Sequence, residues 1–360
     1  MRDLLAIIMA GGAGTRLWPA SLPERPKHVT PGLGGRGEDG GPVSLLQRTV
    51  RRLSTLIPVE GVRVVTTRDQ GPLILDDITA LTPGQLVLEP EGRNTAACVA
   101  LAVASCLQAE GPDALLHLLP ADHHVGDEAA FVCALERAGS LARAHDTICT
   151  LGITPTRPHT GYGYIEHTQT PLASDAGPPA FEVRRFTEKP DAQTARRMLE
   201  QGGHLWNAGI FVGTAGTFAR ELERHCQDLW SAVRAGLEGD DATLDATYAA
   251  LPSVPIDVAL MEKLDDLLVV SCDAGWSDLG SWQAVFEHLD TPGSSNAVCL
   301  ESGAGRARLQ DAEGNLVWAE DADVAVLGVS GLAVIAVGGR VLVCPLDQAE
   351  AIKALVQQLS

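Results

Sequence analysis

Six apolar residues, Leu4 to Met9, run straight into Ala10-Gly-Gly-Ala-Gly-Thr-Arg-Leu-Trp-Pro-Ala-Ser-Leu-Pro-Glu-Arg-Pro-Lys27. An apolar run of strand length that ends in glycines marks the hand-over from a strand to a loop in an α/β fold, where such folds bind their ligands. Glycine reaches positive φ and lets backbone come close, so successive N–H groups can face one anion. Arg16, Arg25 and Lys27 add full positive charges. The spacing excludes a Walker A loop, because Lys27 follows Pro26, and it excludes the dinucleotide fingerprint, because Leu17 stands where the third glycine belongs. An ordinary tight turn would account for the glycines but not for the cationic, proline-punctuated tail.

Charge sharpens this reading. With 27 Lys and Arg against 46 Asp and Glu the chain carries a formal charge of −19. That argues against a nucleic-acid or anionic-membrane surface, and a chain of this sign needs a local cationic cluster to hold an anion. Hydrophobic content of 45% with 20% charged residues is that of a globular protein. No run approaches the roughly 18 apolar residues of a membrane span, and the N-terminus lacks a signal-peptide pattern, so the expected location is the cytoplasm. The eight cysteines form no C-x-x-C pair and mostly lie in apolar stretches, as reduced structural thiols do.

Apolar runs at Leu4 to Met9, Val62 to Thr66, Gln85 to Leu88, Leu115 to Leu119 and Thr147 to Leu151 alternate with the amphipathic stretches Ser44 to Leu56 and Thr95 to Gln108. This alternation predicts an α/β fold with a doubly wound, mostly parallel, Rossmann-like sheet. Gly32 to Pro42, with six glycines, reads as a mobile surface loop, and Asp191 to Gly202 as a capped helix. From Asn296 onward short strands recur at intervals of about ten residues between glycine turns, which predicts a small β-helix-like domain without an exact repeat, closed by a helix from Asp347 to Leu359. The expected domains are 1–290 and 291–360.

Two aspartates stand out by context. Asp122 ends the run Leu115-Leu-His-Leu-Leu-Pro-Ala-Asp, and Asp278 lies in Ala274-Gly-Trp-Ser-Asp-Leu-Gly-Ser-Trp282. Carboxylates on two such loops can share one Mg2+, and Asp122 alone also fits as the N-cap of the next helix. The adjacent His123 and His124 point apart on an extended chain and read as local hydrogen-bonding groups. In Glu89-Pro-Glu-Gly-Arg-Asn-Thr95 either Asn94 or Thr95 could cap a helix or leave its amides for a base or phosphate. Farther on stand Thr160-Gly-Tyr-Gly-Tyr-Ile-Glu166, Phe186-Thr-Glu-Lys-Pro190 and Leu205-Trp-Asn-Ala-Gly-Ile-Phe211. Glu188 and Asn207 suit sugar hydroxyls, Lys189 suits a phosphate, and Gly161 permits close approach. Four of the six Trp and two of the three Tyr fall within these segments and the glycine loop, as pocket walls would.

The set G-G-x-G-T-R-L-x-P, P-K, E-P-x-G-R-N-T-A, L-W-N-A-G and D-A-G-W-S-D-L-G-S-W resembles the sugar-1-phosphate nucleotidyltransferases, and in order and spacing the mannose-1-phosphate guanylyltransferases, from about Leu4 to Trp282. The resemblance implies a nucleotide-diphospho-sugar transferase fold with a left-handed β-helix-like extension. It implies catalytic roles for Arg16 and Lys27 and nucleotide contacts from Ala10, Gly11, Gly12, Gly14, Thr15, Arg16, Arg93, Asn94 and Thr95. Gly161, Glu188, Lys189 and Asn207 would hold the sugar phosphate, and Asp122 and Asp278 Mg2+. The implied substrates are GTP and mannose 1-phosphate, joined as GDP-mannose with release of pyrophosphate. Another hexose 1-phosphate or nucleotide, or a non-catalytic regulatory relative, are the alternatives. His28 departs from the family, which commonly has Gln after P-K. No cupin domain follows, so isomerisation is not expected. Exposed strand edges near the C-terminus favour a homodimer through that region.

Overall fold

Leu4–Met9 forms strand β1, buried from Leu5 to Ile8, in a computed structural model that describes residues 3–12, 14–172, 177–289, 294–300, 305–356 and 358. The chain divides into two compact units, each interrupted in sequence. Unit one is Met1–Gly11, Arg52–Pro120 and Val125–Trp276; unit two is Gly12–Arg51, Ala121–His124 and Ser277–Ser360. The expected domain boundary at 290/291 lies outside the described residues.

Unit one is built on a nine-stranded sheet of β1, β2 (Val62–Thr67), β3 (Leu86–Glu89), β4 (Leu115–Pro120), β5 (Cys149–Ile153), β6 (Tyr164–His167), β7 (Ala180–Thr187), β8 (His204–Thr214) and β9 (Leu268–Ser271). Its order is β3-β2-β1-β4-β8-β5-β9-β7-β6. The first four strands are parallel, with Leu4 opposite Leu115 and Ala6 opposite Val62. A mostly parallel sheet is not what forms, however. β8 runs antiparallel to both β4 and β5, and β7 antiparallel to β6 and β9, so the sheet is mixed. The eleven-residue β8 carries Leu205 to Phe211, a nearly continuous apolar run with no alternation to announce a strand.

The helix Asn94–Glu110 is the centre of unit one rather than an amphipathic cover. Ala96 to Ala104 are all buried, among Leu5, Leu116, Leu118, Phe211, Phe218, Trp230 and Tyr248. Small residues let the neighbouring elements approach this helix from every side. Asp191 caps Ala192–Gln201 through the Thr194 amide, and Gly202 closes it at φ +66°, as its sequence predicts.

In unit two, helix Leu45–Leu53 starts from a reciprocal cap: Ser44 Oγ accepts from the Gln47 amide, and Gln47 Oε1 from the Ser44 amide. The glycine-rich loop before it is tied down rather than loose. Gly32 and Gly34 donate to the Val43 carbonyl, Val43 to Gly35, and Arg48 Nε to Gly34. The C-terminal strands are β10 (Ala297–Leu300), β11 (Ala307–Gln310), β12 (Leu316–Ala319), β13 (Val324–Leu327), β14 (Leu332–Val337) and β15 (Arg340–Pro345). Parallel pairs match Ala297 with Leu316, Leu316 with Ala333, and Ala307 with Val324, so successive coils of 17 to 19 residues stack in the manner of a β-helix. Asn315, fully buried, donates to Asn296 Oδ1 and the Val329 carbonyl and accepts from the Leu332 amide, which satisfies the backbone at a coil corner. β15 closes the sheet antiparallel to β14. The chain then makes a 3-10 turn, Leu346–Ala351, before the short helix Ile352–Val356; Leu359 lies outside the described residues. Trp282 and Trp318, both fully buried with ring centroids 5.5 Å apart, anchor the core of this unit. Trp282 is thus core, not pocket wall.

Candidate functional site

The cation and both aspartates belong to unit two. Lys27 follows Pro26 into a 3-10 turn, and its buried ammonium donates to Asp122 Oδ2 at 2.8 Å and to the Asp278 carbonyl at 2.5 Å. Gly14, at φ +60°, makes room for it, since a Cβ there would overlap the Lys27 Cβ. Partial burial pushes the Asp122 carboxyl up, but Lys27, His123 and His28 more than offset this and hold it at about 2. Asp122 is therefore a carboxylate throughout the physiological range. It does not cap the following helix; Asp127 does, through the Ala130 amide. Asp278 Oδ1 accepts from the Gly280 amide in the turn before the Ser281-capped helix Trp282–His288.

Beside this pair His28 is buried, its Nε2 without a partner among the described residues. Burial lowers its pKa to about 4, with Lys27 acting in the same direction against Asp122, so it is neutral. His124 pairs its backbone with Ser277 and stacks its ring on His288 at 4.8 Å. Arg16 is exposed at the end of the turn Thr15–Leu17, and Gly12 is exposed with open space around its Cα. Among the described residues no group of three or more His, Cys, Asp and Glu could enclose a metal ion. Carboxylates on two loops suit a hard cation that completes its shell with substrate oxygens and water, as Mg2+ does.

Unit one holds the other sequence-predicted residues in two clusters. In the first, Ala10 is spent on the sheet: its amide donates to Val65 and its carbonyl accepts from Thr66 Oγ1. Gly11 is exposed, and a Cβ there would stand 3.4 Å from Glu89 Oε2. Glu89 is 2% exposed, and its Oε1 has no partner among the described residues. Burial pushes its carboxyl up to about 7, with Cys98 and Tyr248 acting in the opposite direction. Arg93 pairs with Glu91 and donates to the Ala249 carbonyl. Asn94, at φ +65°, accepts from the Thr95 amide, and the Ala96 amide goes to Val254, so two of the helix's first amides are already engaged.

The second cluster gathers Glu188, Lys189, Asn207 and Asp257. Lys189, left-handed at φ +46°, lays its exposed ammonium on Glu188 Oε1 at 2.5 Å. Asn207 Nδ2 donates to Asp257 Oδ1 at 2.7 Å, and its Oδ1 accepts from the Gly209 amide at 3.0 Å. Gly161 lies beside His159, whose Nδ1 accepts its amide. Gly163 is the glycine against the acid: a Cβ there would be 2.6 Å from Glu188 Oε2. Next to Asn207, Tyr162 stacks on His159 at 3.9 Å and meets Trp206 and Trp276 edge-on at 5.1 and 5.3 Å. Asp257 and Tyr248 escaped sequence reasoning, and Gly163 stood within the segment Thr160 to Glu166 without a role of its own. In Pro-Ile-Asp-Val the proline signals only a turn or helix start and nothing marks the aspartate, and Glu89 is visible only as the first residue of a longer motif.

Residues 5–291 match the family described as nucleotidyl transferase, and residues 306–359 the MannoseP isomerase/GMP-like beta-helix domain. Among relatives, a mannose-1-phosphate guanylyltransferase of Sinorhizobium fredii is 37% identical over 99% of this chain and 68% of its own length. One of Escherichia coli K12 is 33% identical over 99% of this chain and 73% of its own length. A crystal structure from Thermus thermophilus, named mannose-1-phosphate geranyltransferase, superposes with a TM-score of 0.86 at 36% identity, covering 99% of both chains. Matched by family over its strand–glycine-loop–sheet unit, with like proteins along nearly all of its length, this chain belongs to the nucleotidyl transferase family.

Proposed function

We propose that the chain transfers the guanylyl group of GTP to α-D-mannose 1-phosphate, giving GDP-mannose and pyrophosphate by in-line displacement without a covalent intermediate. The observation that carries this reading is the buried Lys27 ammonium clasped by Asp122 and the Asp278 turn, a charge-handling cluster in a chain similar to a guanylyltransferase over 99% of its own length.

A phosphate monoester is mostly dianionic near pH 7, with a second pKa of about 6, so the nucleophile arrives activated. What remains is to align two anions and neutralise the charge that develops between them. Lys27 keeps Asp122 ionised and aimed, and with Arg16 and the amides of Gly12, Gly14 and Thr15 it takes the charge of the leaving pyrophosphate, while Gly11 contacts the nucleotide. Ala10, with both backbone groups in the sheet, shapes the loop rather than donating to phosphate. Asp122 and Asp278 would hold Mg2+, which supplies charge neutralisation and a template for phosphate oxygens when bound. Arg93, Asn94 and Thr95 face the base. Glu188 and Asn207 take hydroxyls of the sugar, Gly161 allows its approach, and Lys189 takes its phosphate. The Lys189 side chain is 55% exposed and that of Glu188 14%, so turning the ammonium to a phosphate costs more than the about 0–1 kcal/mol of an exposed pair and less than the about 3–5 kcal/mol of a buried one.

A cytoplasmic location, a domain division at 290/291 and pairing of two copies through the C-terminal region belong to the same proposal. Exposed Leu327, Val341 and Val343 on β13 and β15 support the pairing. Incubation with GTP, mannose 1-phosphate and Mg2+ tests the function: equimolar GDP-mannose and pyrophosphate, identified by mass, are expected, and intact substrates after prolonged incubation refute it.

A further inference from the structure

In unit one, the stretch Tyr248 to Asp257 touches both groups of site residues. The Tyr248 hydroxyl donates to the Ala97 carbonyl at 3.3 Å, and Arg93 Nη2 to the Ala249 carbonyl at 2.8 Å. The Ala96 amide donates to Val254 at 3.1 Å, and the Ile256 amide to Thr95 Oγ1 at 2.8 Å. One residue later Asp257 Oδ1 accepts from Asn207 Nδ2 at 2.7 Å. The far end of the same amide is fixed too, because Asn207 Oδ1 takes the Gly209 amide at 3.0 Å. An amide has two N–H donors and a two-fold ambiguity about its terminal torsion. Asp257 removes the ambiguity: with a carboxylate on one side and an N–H on the other, a flipped amide would set oxygen against oxygen and N–H against N–H. The second Nδ2 hydrogen is left as the one side-chain donor of Asn207 without a partner among the described residues.

We propose that Asp257 is a positioning residue for the sugar phosphate, fixing Asn207 so that it presents a donor to a substrate hydroxyl. Through Val254 and Ile256 the same strap ties that amide to the helix start at Thr95. The proposal rests on the reading of Asn207 as a sugar ligand.

Kinetics with the intact chain test it, each substrate varied separately. The wild type is first run over several sugar 1-phosphates and nucleotides, and the comparison uses the pair it accepts. Failure of the guanylyl reading then shows in that array, and failure of the positioning role shows in the variants. Asp257→Ala raises the sugar-phosphate KM about tenfold, the loss of one oriented hydrogen bond, and leaves the nucleotide KM within about twofold. Asp257→Asn, whose side-chain oxygen can still accept from Asn207, recovers most of the loss. Asn207→Ala combined with Asp257→Ala is no worse than Asn207→Ala alone. Asp257→Ser, too short to reach Asn207, stands in should the alanine variant not fold. An unchanged sugar-phosphate KM, equal changes in both KM values, or additive loss in the double variant overturns the proposal.

Discussion

Replacing Lys27 with Met keeps the bulk of the side chain and deletes its charge. In the folded protein the Lys27 side chain is 6% exposed and its ammonium contacts Asp122 Oδ2 at 2.8 Å, while the Asp122 side chain is 36% exposed. Breaking a fully buried pair costs about 3–5 kcal/mol, and exposed pairs are worth about 0–1 kcal/mol. Asp122 can recruit water, so the expected stability loss lies between these, about 1–3 kcal/mol, measured by urea unfolding at pH 7. The loss should shrink in acid. Asp122 has a depressed carboxyl pKa, so its contribution is present above the usual value near 4 and disappears as pH falls toward about 2. Wild type and variant should therefore converge in stability over that interval. Turnover should fall further than stability explains: losing one group that stabilises developing charge costs about 3 kcal/mol, or roughly a hundredfold in kcat. Pyrophosphate release by folded variant at saturating substrates is the assay. A Lys27→Met protein with unchanged turnover refutes the catalytic assignment, and one with unchanged unfolding at pH 7 refutes the energetic argument.

Gly14→Ala places a Cβ against the Lys27 side chain at φ +60°, and should lower stability by about 1–3 kcal/mol with a fall in melting temperature; an unchanged transition contradicts the packing. Glu89, with its carboxyl pushed up to about 7, contributes stability that is complete below its unfolded pKa and lost as pH rises through 7. Glu89→Gln should flatten the decline in stability between about pH 4.5 and pH 7, a span on the order of 3 kcal/mol, and an identical pH profile in the variant refutes the assignment. Val341→Asp with Val343→Asp should convert a dimer to a monomer in light scattering, whereas a wild type that is already monomeric rejects pairing through β15.

Much of the fold could be read from residues because local signals agreed. β1 ends where its apolar run ends, the Asp191 and Gly202 caps fall where helix chemistry puts them, and the C-terminal strands follow their glycine turns. The sheet's mixed sense could not, because whether β8 runs with or against β4 and β5 is decided by long-range pairing that leaves no mark on Leu205 to Phe211. Glycine content misled at Gly32 to Pro42: the residues that look loose in sequence are hydrogen-bonded to Val43 and Arg48. In the candidate site, charged residues with punctuating neighbours were visible, namely Lys27, Asp122, Asp278 and Glu188. The groups that orient them were not. Asp257 and Gly163 act through contacts with residues distant in sequence, Asn207 and Glu188, and neither carries a signature of its own.

Guanylyl transfer to mannose 1-phosphate is tested most directly by initial rates of pyrophosphate release across a matrix of GTP, ATP, UTP and dTTP against mannose, glucose and galactose 1-phosphates, with and without Mg2+. The highest kcat/KM is expected for GTP with mannose 1-phosphate, by about tenfold or more over any other pair, with no release when Mg2+ is chelated. A higher value for another pair, or no release from any, contradicts it.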